Sequence, residues 1–340
     1  MMRVSVVRPA ELGADEAMLW AKFQQQSPVT QNPFLSWTFT QVVGRARPGA
    51  RVAVIEDGGQ IQAFLPFERG PRRIGLPVGY PMNDMQGFVC SGAALDARQV
   101  VRKAGLRGWR FISAPADQAA LVAHHYGGTA ASCPVIDLSG GYPAYYASRS
   151  KSVTAEPARK RRALERDRGP VSLAWHTASQ DHLRQMISWK SGKYSSLGRM
   201  FDDDQSALRI VSELAGTDNP DCQGVVSALL VGDQPVAVSC NLIGWQGLSG
   251  WFTSYDPGVG RFSPGMIMTF AIAEEAARQG ITRIDLAPGP FGYKYRLAND
   301  SYAIAGGAVW ASPAEQAGRQ LYRRFIYDRQ HPKAAGDAPQ

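Results

Sequence analysis

The chain has 340 residues, 44% hydrophobic and 19% charged, with a net charge of +8. That suits a globular protein large enough for two cores and argues against a disordered or fibrous chain. No apolar run approaches bilayer-spanning length and the first residues lack a signal-peptide pattern, so a cytoplasmic protein is expected, and its positive balance favours anionic partners.

In chain order, Val4–Val7 reads as a strand, and Ala14–Gln25 and Phe34–Val43 as helices. Arg51–Glu56 and Gln60–Phe67 read as a hairpin turning at Asp57-Gly58-Gly59. Leu95–Ala104 is predicted helical, Trp109–Ser113 extended, Gln118–His125 helical and Pro134–Leu138 extended. Pro157 and Gly169 punctuate a basic helix holding Arg159, Lys160, Arg161, Arg162, Arg166 and Arg168. Val171–Trp175 follows as a strand. The next predicted helices are Asp181–Trp189, and one after Asp204 that carries Leu208, Ile210, Val211 and Leu214 and stops at Gly216. Gly224–Val231, Pro235–Ile243 and Leu248–Tyr255 are separated by short Gly-containing turns, which predicts an antiparallel meander. Ser263 and Pro264 open the clearest helix, with Ser263 expected as its cap and Gly280 as its end. Ile281–Leu286 and Ala303–Trp310 are the last strands, and residues after His331 read as a tail.

Two segments could carry chemistry. In Ile284-Asp285-Leu286-Ala287-Pro288-Gly289-Pro290-Phe291-Gly292-Tyr293-Lys294-Tyr295-Arg296, an apolar strand ends in an acid, a Pro/Gly turn follows, and a Tyr-Lys-Tyr-Arg cluster comes next. Strand ends of open α/β sheets are where loops converge on a ligand crevice. Asn83-Asp84-Met85-Gln86-Gly87 follows a Pro/Gly-rich loop. Asp84 reads either as a base reaching a cleft or as a turn cap, for which Asn-Asp is equally suited. On the basic helix, Arg159, Arg162 and Arg166 share a face, which reads as an anion site or simply as a solvated surface paired with Glu165 and Asp167. There is no G-x-S-x-G elbow. His124, His125, His176, His182 and His331 form no ligand set, and Cys90, Cys133, Cys222 and Cys240 make no C-x-x-C pair. No metal is expected, and the cysteines read as small buried hydrophobes.

These motifs together resemble the GNAT-like acyltransferases of the cellulose-biosynthesis CelD/BcsL-like group, relatives of the FemAB peptidoglycan aminoacyltransferases. Asn83–Gly87 matches that group's S-D-Y-Q-G-type motif with Asn for Ser and Met for the aromatic, and Tyr293-Lys294 matches its aromatic–Lys pair. The resemblance implies a mixed α/β GNAT-like fold, two tandem halves with a cleft between them, divided as residues 1–138 and 139–330 with a tail at 331–340. Asp84, Tyr293, Lys294 and Asp285 become candidate catalytic groups, with Asp285 orienting Lys294. Gln86, Arg159, Arg162, Trp189, Lys193, Tyr194 and Tyr255 become candidate substrate contacts, and Lys190 fits the same helix pattern. Arg261, Ser263 and Gly265 would meet acyl-CoA, although Pro264 stands where CoA-binding relatives have a glycine whose N–H holds the pyrophosphate.

The expected activity is N-acylation of an amine on a sugar or nucleotide sugar for an envelope or exported polysaccharide, with acyl-CoA as co-substrate. Three rivals stay open: a long-chain N-acyltransferase of a lipid amine such as a sphingoid base, a Fem-like aminoacyl-tRNA-dependent transferase, and a non-catalytic nucleotide-binding regulator. Nucleic acid is expected only as tRNA in the second of these. The mixed aromatic and basic stretch Leu321–Tyr327 leaves peripheral contact with the inner face of a membrane open.

Overall fold

The computed structural model describes residues 1–92, 94–118, 131–177, 179–191, 201, 204–289 and 292–322. His124, His125, Lys193 and Tyr194, most of the stretches 118–125 and 321–327, and the tail 331–340 lie outside these.

The described strands form a single 14-stranded sheet. The first half contributes β1 (Arg3–Val7), β2 (Ala50–Asp57), β3 (Gln60–Arg69), β4 (Ile74–Pro77), the short β5 (Val89–Cys90), β6 (Gly108–Pro115) and β7 (Ala131–Asp137). The second contributes β8 (Val171–Ala174), β9 (Asp218–Asn219), β10 (Cys222–Val231), β11 (Gln234–Gly244), β12 (Gly247–Tyr255), β13 (Arg283–Asp285) and β14 (Asp300–Trp310). The main order is β1-β2-β3-β4-β6-β14-β7-β13-β12-β11-β10-β8.

That order is nearly palindromic. Each half has an outer strand, two helices, an antiparallel meander, a helix and a parallel partner: β4 beside β6 in the first, β12 beside β13 in the second. The final strands are exchanged, because β14 lies between β6 and β7 while β7 reaches β13.

Helices α1 (Ala14–Gln24), α2 (Trp37–Ala46), α6 (Gln180–Ser191) and α7 (Gln205–Ala215) supply one core, which spans both halves. Apolar residues at helical spacing explain α7, where Ala207, Ile210, Val211 and Leu214 are buried, Asp204 caps through its side chain and Gly216 ends the helix. Helix α3 (Ala97–Lys103) builds a second core on the first half. Helices α4 (Gly141–Ser148), α5 (Lys151–Arg168) and α8 (Pro264–Arg278) build a third on the second half. Short α9 (Gly292–Leu297) follows β13, and α10 (Pro313–Tyr322) follows β14.

The halves are also stitched by side chains. Asp221 accepts from both the N–H and the hydroxyl of Thr38 at the start of α2, at 3.0 and 2.7 Å. Arg47, paired within its own half to Glu68 at 3.1 Å, crosses to Asp204 at 2.8 Å.

Two local expectations change. The basic helix begins at Lys151, and Pro157 lies inside it. Val153, Thr154, Pro157 and Leu164 form its buried side, so packing against α8 outweighs the backbone bond that the proline forgoes. Ser263 makes no side-chain cap; it is left-handed at φ 51° and its Oγ accepts from Lys160 Nζ at 2.6 Å.

Candidate active site

A fork in the sheet creates the site. β12 and β13 pair only from Gly247–Ser249 against Arg283–Asp285, after which β13 ends and β12 runs on to Tyr255. The opposite edge of β12 has a register shift against β11 between Cys240 and Asn241, which leaves Trp251 as the extra residue. A bulge at this point twists the free arm of β12 away from the strand it has left. The equivalent fork of the first half, between β4 and β6, is filled. Gln86 N–H donates to Ser113 O at 2.8 Å, and Gln86 Oε1 accepts from Ile112 N at 2.7 Å.

Asp285 closes the crotch of the open fork. Its Oδ1 takes Arg283 Nη2 at 2.5 Å, and its Oδ2 takes Asn32 Nδ2 at 3.0 Å and Tyr302 O–H at 3.3 Å. Asn32 also donates to Ser249 Oγ at 3.1 Å, and the Arg283 guanidinium lies 5.1 Å from the centre of the Tyr302 ring. The segment at Asn32 and β14 are therefore pinned to β13 at one carboxylate, and β12 is tied in through Asn32. Cys133 lies in the same buried group, and burial pushes its thiol up to about 12, which keeps it protonated and non-nucleophilic.

Asp84 lines the pocket above this crotch, and Lys294 is near enough for the two charges to act on each other. The pocket is lined by Asp84, Asn32, Phe34, Gly250, Asp285 and Ala287, among others. Burial raises the Asp84 carboxyl to about 7, and Lys294 partly opposes that rise. Burial lowers the Lys294 ammonium, while Asp84 and Cys133 act the other way. Lys294 Nζ donates to the carbonyl of Ala287 at 3.2 Å. Ala287 takes a left-handed φ of 62°, a strained choice for a residue with a Cβ. The turn that ends β13 thus aims a carbonyl at the lysine. Buried Leu297 anchors α9, and its carbonyl accepts from Tyr145 O–H at 3.0 Å.

Of the other expected residues, Tyr293 is 49% exposed, with desolvation still raising its hydroxyl pKa. Tyr255 is exposed at the free end of β12. Lys190 rests on that same arm, its Nζ 3.4 Å from Thr253 O and 5.6 Å from the centre of the Phe252 ring.

Several expectations need correction. Asp285 does not orient Lys294, because its oxygens are taken by Arg283, Asn32 and Tyr302. Gln86 is 2% exposed and its amide also donates to Asn83 Oδ1 at 3.1 Å, so it braces the Asp84 turn instead of meeting a substrate. Trp189 packs against the core. Arg159 and Arg162, by contrast, are not corrected: both are exposed on α5, whose buried side faces α8.

The loop before α8 offers few free amides. Gly258 N–H donates to Asp256 Oδ1, Ser263 N–H to Gly260 O and Met266 N–H to Ser263 O, while Pro264 has none. Arg261 is salt-bridged to Asp167 at 2.8 Å, and the space above Gly265 is open. Cations, more than backbone donors, therefore surround this helix start. Among the described residues no group of three or more His, Cys, Asp or Glu side chains could hold a metal ion. No described helix is long and apolar enough to cross a membrane.

Residues 151–295 match the family model described as an acetyltransferase (GNAT) domain. Among solved structures the chain is similar to FemX, at 11% identity and a TM-score of 0.57, covering 94% of this chain and 99% of that one. It is similar to the C-terminal domain of a putative lysylphosphatidylglycerol synthetase from Agrobacterium fabrum, at 13% identity and a TM-score of 0.54, over 91% and 95% of the two chains. A tandem GNAT protein from the clavulanic acid biosynthesis pathway matches at 11% identity and a TM-score of 0.52, over 92% and 99%. No curated protein sequence gives a significant match. The chain therefore has a GNAT-like fold, and its residues 151–295 match a GNAT acetyltransferase domain.

Proposed function

We propose that this protein is an N-acyltransferase that moves an acyl group from acyl-CoA to a primary amine at the open fork. The observation that carries the reading is that the Asp84 carboxyl lines the pocket at the open fork beside Ser249 and Gly250 of β12, where burial raises it to about 7 against the opposing charge of Lys294. A base titrating near the working pH is well matched to take a proton from an ammonium or from an attacking amine. The amine nitrogen attacks the thioester carbonyl, its surplus proton passes to Asp84, and the carbonyl electron pair moves onto oxygen. The Lys294 ammonium steadies that oxyanion. Collapse restores the carbonyl, breaks the C–S bond and releases the thiolate, which takes a proton from Tyr293 or water. The acceptor we favour is an amine on a sugar or nucleotide sugar, with a lipid amine as the alternative.

The test is release of free CoA from acetyl-CoA and long-chain acyl-CoA in the presence of candidate amines. Asp84→Asn and Lys294→Ala are each expected to lower turnover by more than about tenfold with the fold intact. Near-normal rates in both would overturn the assignment.

The amide-poor loop before α8 favours one second reading, a Fem-like transferase that takes its acyl group from aminoacyl-tRNA. Thermal unfolding with CoA and acyl-CoA separates the two, because a ligand that binds only the folded state raises the midpoint. A shift supports the CoA donor. No shift, together with tRNA binding that weakens steeply with salt, supports the other.

A further inference from the structure

We propose that Trp251 is a positioning residue for Asp84: its indole ties the turn that carries Asp84 to the bulge of β12, and so sets the carboxyl against the open fork. The inference rests on the acyl-transfer reading and deepens it, because it names what holds the base across the boundary between the two halves.

Alternation along a strand puts neighbouring side chains on opposite faces. Trp251 and Phe252 break that rule. Both pack against the core shared by the two halves, with ring centroids 4.6 Å apart and planes inclined at 33°. The register shift between Cys240 and Asn241 is the reason, since a bulge re-aims the side chain of the extra residue. The backbone N–H of Trp251, left over from the ladder, donates to Asn241 Oδ1 at 3.4 Å. Asn241 is buried, and the same oxygen accepts from Ser239 Oγ at 3.0 Å, so the bulge has a fixed acceptor inside the sheet.

Re-aimed in this way, the indole crosses to the first half. Its Nε1–H donates to the carbonyl of Met82 at 2.8 Å, two residues before Asp84. Its ring meets Phe34 edge-on, with centroids 5.8 Å apart and planes at 71°. Phe34 is buried and lines the same pocket as Asp84, Ser249 and Gly250. The turn is held from within the first half as well, where Gln86 Nε2 donates to Asn83 O at 3.3 Å and to Asn83 Oδ1 at 3.1 Å. Gln86 thus fixes the turn to β6, and Trp251 fixes it to the strand whose free arm borders the fork. A base must lie within hydrogen-bond reach of the proton it takes, and a misplacement of about 1 Å lowers a rate severely. Neither half sets that distance by itself.

The charged and titratable groups around Asp84 come from four further elements: Lys294 of α9, Asp285 of β13 with its partner Arg283, Cys133 of β7 and Tyr302 of β14. Burial outweighs Lys294 in setting the Asp84 pKa. Cutting the indole tie lets water reach the turn, which weakens that burial and moves the pKa down toward the ordinary carboxylate range.

The experiment labels the aspartate carboxyl carbons isotopically and assigns Asp84 from the signal lost in Asp84→Asn. Two replacements remove the N–H. One is Trp251→Phe. The other, benzothienylalanine in place of Trp251 by stop-codon suppression, keeps the shape of the indole and its packing on Phe34 and Phe252. Asp84 should titrate at about 7 in the parent. In both replacements its midpoint should fall by about one pH unit or more, while circular dichroism melts stay cooperative. Fluorotryptophan at the same position keeps the N–H and should keep the parental titration. In the CoA-release assay with acetyl-CoA, kcat should fall about tenfold or more, the donor KM should change by less than about threefold, and the rising limb of the pH profile should move with the carboxyl midpoint. An Asp84 midpoint that is equal in the parent and the benzothienylalanine protein overturns the proposal. So does a lowered melting temperature with no change in that midpoint, or a parental kcat in both replacements. A displaced midpoint in a protein that turns over no amine would leave the tie standing and remove the acyl-transfer reading.

Discussion

At the scale of single residues, Asp84 and Asp285 show how environment assigns two acids different work. Asp285 is 6% exposed but saturated by Arg283, Asn32 and Tyr302, which makes it a structural pin. Asp84 has Lys294 as its opposing charge, and burial carries it to about 7. Its titration has two consequences of defined sign. As a base it works when ionised, so kcat/KM should rise with pH through about 7, and Asp84→Asn should abolish that limb of the profile. In stability the sign is opposite. The folded pKa lies above the ordinary aspartate value of 3.8, so between those values the folded state holds more protons than the unfolded one, and stability falls as pH rises. Asp84→Asn removes that loss. Its thermal midpoint relative to the parent should therefore be higher near pH 8 than near pH 4. A pH-independent difference would mean that the carboxyl is solvated. Asp285→Asn should instead destabilise by about 3 kcal/mol in urea titration, because it leaves Arg283 without its carboxylate in a site where their side chains are 15% and 8% exposed.

At the scale of elements, the fork depends on where β12 and β13 stop pairing, and the rest of the sheet depends on close helix contacts. β10 is pressed so closely under α7 that a Cβ at Gly224 would lie 2.0 Å from Leu214 O and 2.6 Å from Ala215 Cα. Both are backbone atoms that cannot rotate away. Gly224→Ala should force α7 off the sheet and cost about 3 kcal/mol, read as a lower urea midpoint with an unchanged slope. Elements of this kind were legible in the sequence. Asp204 and Gly216 bracket α7 as expected, and the β10–β11–β12 meander follows its Gly turns. Pro157 misled because a local helix-start signal yielded to the buried face formed by Val153, Thr154, Pro157 and Leu164. Asp84 and Lys294 stood out as candidates because each sits in a compact motif. Asn32 could not, since it meets Asp285 across 253 residues and no local motif marks it. Arg283, Tyr302 and Cys133 are hidden for the same reason: register places them, and no local spacing announces it.

At the scale of the whole molecule, the exchange of final strands makes the two GNAT-like halves interdependent. β7 pairs on one edge with β13 and on the other with β14, both from the second half. β6 in turn depends on β14 for its far edge. The core formed by α1, α2, α6 and α7 is also shared. A chain of residues 1–138 would thus leave β7 with neither neighbour, the far edge of β6 open and the apolar faces of α1 and α2 half covered. Unpaired strand edges and exposed apolar surface drive association with other chains. Expressed alone, this fragment should aggregate or elute as large assemblies and show no cooperative unfolding. Co-expression with residues 139–340 should recover a one-to-one complex that restores the fork, because Asn32 and Asp84 come from the first fragment and Ser249, Asp285 and Lys294 from the second. Size-exclusion chromatography with circular dichroism melts decides the matter. A soluble monomer of residues 1–138 with a sharp thermal transition would show that the strand exchange is dispensable to the first half and that the halves are separable folding units.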